Sequence, residues 1–153
     1  QIHRLGETES KEFAAWRLSM KTTTPTAVFN PANRPAHLAS HYLNVPEMPW
    51  ENSPFPGIQF KTLYANTESG MSTLLVKMEP GAVIPLHEHT AVEQTYVLEG
   101  SLEDDEGQCY AGGFVWRPGG NIHEAVSPHG ALVLSIFMKP NTFLSGAKFF
   151  TEL

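Results

Sequence analysis

Between residues 58 and 138 apolar and polar positions alternate in short runs, cut by glycine, proline and acidic turns. Alternation with a period of two puts every second side chain on one face of a strand. It predicts strands at 58–65, 71–78, 83–89, 92–98, 101–103, 108–110, 114–117, 122–127 and 131–138. In 71–78 the apolar face is Leu74, Val76 and Met78. Many short strands at short spacing predict an all-β sandwich or barrel.

The flanks break this pattern. Residues 22–38 carry Pro25, Pro31 and Pro35, which no long helix survives, so an extended arm is expected. Residues 40–45 read as a short edge strand. Residues 46–57 read as a proline-rich loop anchored in the core by Trp50 and Phe55. A helix is expected through 10–18. Met20 leaves two readings for residues 1–19: sequence upstream of a native start, or a genuine arm that packs on a neighbouring subunit. Residues 140–153 hold Phe143, Leu144, Phe149 and Phe150, too apolar for a free tail, and should pack on the barrel or across a subunit interface. The expected organisation is an arm over 1–35 and one barrel domain over 36–153, with no internal repeat.

Composition narrows the function classes. A chain of 153 residues favours one domain. A formal charge of −6 leaves no basic patch for nucleic acid. No apolar run approaches the roughly 20 residues of a membrane helix, and no secretory h-region is seen. The single cysteine, Cys109, allows no intrachain disulfide, as expected of a cytoplasmic protein, and reads as a small, partly buried hydrophobe. His37, His41 and His129 read as surface residues. Asp104, Asp105, Glu106 and Gly107 read as a solvated hairpin tip, since the alternating ligands of a calcium loop are missing.

The chemistry gathers in two stretches. GAVIPLHEHTAVEQTYVLEG (81–100) places His87 and His89 two apart on one strand face, and Glu93 opens the next strand after a short turn. GGFVWRPGGNIHEAVS (112–127) places His123 just after a turn. Three imidazoles and a carboxylate suit one borderline divalent ion, Fe(II), Mn(II), Zn(II), Ni(II) or Cu(II). With six-coordination about two positions stay open, for a substrate bound through two oxygens or through one oxygen plus O₂. By the period-two rule Glu93 shares its face with Thr95 and Val97, and His123 shares its face with Asn121, Ala125 and Ser127. Phe60, Leu75, Phe114, Trp116 and Phe137 are further candidate walls. The pocket expected from this includes Thr95, Val97, Phe114, Trp116, Ala125 and Phe137, mostly apolar. Arg117 is read as a surface residue, with carboxylate capture at the pocket mouth as the alternative. No general acid or base stands out, so chemistry carried by the metal is favoured.

The first stretch resembles cupin motif 1: Gly81, five residues, His87, one residue, His89, three residues, Glu93, six residues, Gly100. The second resembles motif 2: Gly112, five residues, Pro118, one residue, Gly120, two residues, His123. Ser127 stands where that pattern ends in Asn. The resemblance implies a cupin jelly-roll β-barrel with one divalent metal inside, held by His87, His89, Glu93 and His123. Together with Pro49-Trp50, Pro56-Gly57-Ile58, Lys61 and Leu63, it is similar to two kinds of small cupin. One kind comprises the dioxygenases that cleave acetylacetone or 2,4'-dihydroxyacetophenone, of which the acetylacetone enzyme lacks the glutamate ligand. The other is the cupin domain of ChrR anti-sigma factors.

The resemblance therefore implies a non-haem Fe(II) dioxygenase that cleaves a C–C bond in a small diketone or aromatic hydroxyketone. Zn(II), Mn(II) or Ni(II) are alternative ions. A zinc-binding sensory module without turnover, and a non-redox isomerase or decarboxylase, are the alternative functions. The expected partners are a small-molecule substrate, O₂ and a second copy in a homodimer or homotetramer.

Overall fold

The computed structural model of the protein describes residues 35–149. The expected helix through 10–18, the extended arm before residue 35 and Phe150 lie outside the described residues. The chain divides into two units, Gln1–Tyr42 and Leu43–Leu153. The described part of the first unit is exposed and holds a single 3₁₀ turn, Ala36–Leu38.

Among the described residues the second unit has ten strands: β1 (Glu51–Asn52), β2 (Ile58–Ala65), β3 (Ser72–Met78), β4 (Ala82–Glu88), β5 (Glu93–Glu103), β6 (Gln108–Tyr110), β7 (Phe114–Arg117), β8 (Ile122–Ser127), β9 (Ala131–Phe137) and β10 (Thr142–Phe143). All pairings are antiparallel. One sheet runs β1-β2-β3-β9-β5-β7 and the other β10-β4-β8-β5-β6. β5 belongs to both. Its first half pairs with β9 and β7, and Ser101, Leu102 and Glu103 pair with β6. The change of sheet follows a register shift between Val97 and Glu99. The strands expected at 92–98 and 101–103 are thus one bent strand.

Period-two patterning decides what faces inward. Leu74, Val76 and Met78 on β3 are buried, as their spacing predicts, and meet Phe55, Ile58, Phe60, Val97 and Val133 in the core. Each such side chain contributes about 1.5–3 kcal/mol of burial. Phe55 is core, as expected. Trp50 instead lies half-buried against the outer side of β2, with the Lys61 Nζ 4.6 Å from its ring. Lys61 donates to the Val45 carbonyl at 2.8 Å, which satisfies its buried ammonium.

Residues 40–45 form no strand. A 3₁₀ turn stands at Val45–Glu47 instead. Pro46 inside it has no N–H to give a ladder and a φ already suited to a turn. The C-terminal stretch does pack on the barrel: Phe143 pairs with His87 across β10 and β4, and Leu144 donates its N–H to the Leu86 carbonyl at 2.9 Å. Among the described residues no helix is long and apolar enough to cross a membrane.

Candidate metal centre

His87 lies near the end of β4, His89 one residue beyond it, Glu93 at the start of β5 and His123 on β8. Antiparallel pairing sets His87 directly opposite His123. A register shift between Ile84 and His87 re-phases β4 around Pro85, which cannot donate to the ladder. All four side chains are buried: His87 3%, His89 0%, Glu93 8% and His123 3% exposed. Ligand nitrogens of the three histidines lie within 4.8 Å of one another. Glu93 Oε2 sits 3.2 Å from His89 Nε2.

Hydrogen bonding assigns the tautomers. His87 Nδ1 donates to the Pro85 carbonyl at 2.7 Å, His89 Nδ1 to Asn141 Oδ1 at 3.0 Å, and His123 Nδ1 to Asp104 Oδ2 at 3.2 Å. A neutral imidazole that carries its proton on Nδ1 has only a lone pair on Nε2. His89 Nε2 and His123 Nε2 face each other at 2.9 Å. Two lone pairs at that distance repel unless a cation lies between them. Two nitrogens on one ion at about 2.1 Å and a right angle stand about 3 Å apart. The three-histidine site therefore fits a divalent metal, and the thiolate-free donor set fits the Fe, Mn, Zn and Ni class.

Electrostatics keep these ligands in the metal-binding form. Burial is the main cause that pulls the imidazoles below the ordinary histidine range, and the Arg117 charge is second for His89, lowered to about 4, and for His123, lowered to about 3. Burial also lowers His87. Burial raises the Glu93 carboxyl, against the pull of Arg117. For Asp104, burial works upward, but the Arg117 hydrogen bond and charge, with the backbone N–H groups of Glu106 and Gly107, bring it below the usual carboxylate range.

A pH dependence follows for the metal-free protein. In the unfolded chain the histidines protonate near 6.5, whereas in the fold they stay neutral to lower pH. The unfolded state thus takes up more protons as pH falls. Stability is full above about 6.5 and falls as pH drops towards the folded values, by about 1.4 kcal/mol per pH unit for each histidine that differs. Glu93, raised in the fold, works in the opposite sense, but three imidazoles outnumber it. The urea midpoint of metal-free protein should be clearly lower at pH 5 than at pH 7.5.

A partly open cavity of about 50 Å³ adjoins His87. Its wall is largely aromatic, with Phe55, Phe60, Phe137, Phe143 and Phe149, and His87, Glu93 and Asn141 supply the polar atoms. Of the side chains expected to line a pocket, Phe60 and Phe137 do, and Leu75 does not. Thr95, Val97 and Ala125 are buried in the barrel. Thr95 Oγ1 donates to Glu93 Oε1 at 3.1 Å, so it supports the carboxylate.

Phe114 and Trp116 do not line the interior: they are 56% and 60% exposed on the outer face of β7. Alternation turns Arg117 inward in their place. Arg117 is buried, not a surface residue. Its Nη2 bonds Asp104 Oδ2 at 2.6 Å, and Nη1 reaches Glu93 Oε2 at 3.5 Å.

The solvated reading of the 104–107 tip also fails at Asp104, whose side chain is 7% exposed and bonded to His123 and Arg117. The alternation in β5 held the signal, since Asp104 continues the inward face of Leu102. Asn141 gave no such signal, because it lies in irregular chain, whereas Phe149 packs on the barrel as its apolar stretch predicts.

With this geometry in place the comparisons are specific. The family model of the ChrR cupin-like domain matches residues 38–142. The chain belongs to the ChrR cupin-like family. No curated protein matches it. Similar solved structures include an acetylacetone dioxygenase from Acinetobacter johnsonii, at 18% identity and TM-score 0.66, covering 76% of this chain and 89% of that one. The Rhodobacter sphaeroides SigE complex with the anti-sigma ChrR is similar at 21% identity and TM-score 0.53, over 82% and 76%. The polyketide cyclase RemF from Streptomyces resistomycificus is similar at 17% and 0.57, over 71% and 88%. These likenesses establish the all-β cupin barrel. The expected jelly roll and the cupin resemblance of the two motifs are both borne out.

Proposed function

We propose that this cupin is a cytoplasmic, non-haem Fe(II) dioxygenase that cleaves a C–C bond in a small diketone or aromatic hydroxyketone. One observation carries the reading: the ligand nitrogens of three imidazoles lie within 4.8 Å of one another beside a phenylalanine-lined cavity. A bound Fe(II) would bring a chelating substrate and O₂ together there. His87, His89 and His123 hold the ion, and Glu93 is the fourth donor. The phenylalanine wall excludes water and accepts an uncharged carbon skeleton. The cavity size favours the small diketone. The reaction closes without another reductant: one C–C bond breaks, and each fragment takes up one oxygen atom of O₂.

The family supports a second reading, a zinc-binding sensory module without turnover. Oxygen uptake by metal-stripped protein loaded anaerobically with Fe(II) separates the two, against a panel of β-diketones and hydroxyacetophenones. Substrate-dependent uptake that is lost without metal supports the dioxygenase. No uptake across the panel, with zinc in protein purified from its own source, supports the sensor.

We also propose a homodimer through the outer face of the β9-β5-β7 sheet. Tyr96 and Phe114 are paired across β5 and β7, and both are exposed beside Trp116 and Leu98. Apolar patches of this kind mark association surfaces. Trp116→Glu should convert the dimer to monomer in sedimentation without removing the metal.

A further inference from the structure

The three histidines are held by unequal acceptors. His87 and His89 donate to neutral carbonyl oxygens, of Pro85 and of the Asn141 side chain. Among the described residues His123 alone gives its Nδ1–H to a carboxylate, Asp104. That carboxylate is fixed on every side. Its Oδ1 accepts the backbone N–H groups of Glu106 and Gly107, both at 3.0 Å, and its Oδ2 accepts Arg117 Nη2 at 2.6 Å. Arg117 then reaches across to Glu93 Oε2 at 3.5 Å. The β5–β6 hairpin tip, β7 and the start of β5 are thereby tied to one histidine on β8.

We propose that Asp104 and Arg117 are the positioning pair of this centre. Asp104 orients the His123 ring and strengthens its Nε2 as a donor, and Arg117 holds Asp104 and Glu93 in place at once. The proposal rests on the metal reading above. A carboxylate behind an imidazole fixes the ring and raises its basicity, and loss of such a partner commonly weakens metal binding about 10–100-fold. Arg117 suits the bridging role because a planar guanidinium presents donors along two edges, whereas the ammonium of lysine is a single point. His123 is therefore the one ring of the three with an anionic partner behind it, and the site is lopsided in its hydrogen bonding.

The test uses Co(II), whose visible bands report ligand field directly, together with chelator competition for affinity. Asp104→Asn keeps size and one acceptor but removes the charge. It should weaken Co(II) binding about 10–100-fold and shift the Co(II) bands. Asp105→Asn, on the exposed neighbour in the same tip, should stay within about twofold on the same scale. Arg117→Lys leaves Asp104 charged but cannot span both carboxylates. It should also shift the bands, with a smaller loss of affinity than Asp104→Asn. Melting of the metal-free variants checks that each is folded. If Asp104→Asn fails to fold, the Arg117→Lys spectrum decides alone. Wild-type affinity and unchanged bands in the folded variants would make this pair a structural ion pair and overturn the proposal. Wild-type protein that binds no Co(II) would overturn the metal reading instead.

Discussion

His123→Ala is expected to strip the centre of its metal. The wild-type chain should retain close to one ion after dialysis, and the variant less than about a tenth of one. His87→Ala should behave the same way, because the two rings stand opposite each other in the β4–β8 ladder. No neighbour can substitute. His89 Nδ1 is engaged by Asn141, and among the described residues no other histidine or cysteine joins the cluster. Glu93→Ala should weaken retention less, since three imidazoles remain. Metal analysis of the purified variants checks all three. Stoichiometric metal in His87→Ala or His123→Ala would refute this ligand set. Chelation should leave the wild-type barrel folded, because its core of Leu74, Val76, Val97, Val133 and their neighbours is a continuous apolar cluster that buries its surface without metal. Retained far-ultraviolet dichroism after chelation is the expected readout.

Gly100→Ala is expected to cost more than about 4 kcal/mol and to prevent stable folding at moderate temperature. Two causes add. Gly100 has φ +72°, a conformation that side chains rarely adopt, and a Cβ there would lie 1.9 Å from the Gly130 carbonyl oxygen. That oxygen belongs to backbone at the β8–β9 turn and cannot swing aside as a flexible side chain would. The contact exists because β5 changes sheets at this point, where its partner along β9 ends at Ala131. Gly107→Ala, with nothing within 4 Å of its Cβ, serves as the matched control and should melt within a few degrees of wild type. A folded Gly100→Ala protein with wild-type stability would show that β5 can bend in another way.

Local pattern made most of the barrel legible. Strand period, turn glycines and the spacing of His87, His89, Glu93 and His123 are properties of short windows, and β2 to β9 match them within a few residues, while the two-residue β1 and β10 were not expected and 40–45 forms no strand. The misplaced site residues share a cause. Phe114 and Trp116 are candidate walls in the sequence, yet alternation on β7 gives the inward positions to Val115 and Arg117. Arg117 is buried against that expectation because two carboxylates, Asp104 and Glu93, converge on it from distant parts of the chain. A buried cation is acceptable only with such partners, and partners that depend on tertiary pairing leave no trace in a short window.

By itself, then, the sequence determined that the chain is an all-β cupin with a cluster of histidines poised for a divalent ion. Hydrophobic period and motif spacing act over a few residues, and backbone geometry converts them directly into strands and turns. The tertiary structure alone decided what surrounds that cluster. It set Asp104 behind His123, Asn141 behind His89, Arg117 between two carboxylates, and Phe143 and Phe149 over the cavity. Each of those contacts joins segments far apart in the chain, and strand register and sheet crossing, not composition, bring them within bonding distance.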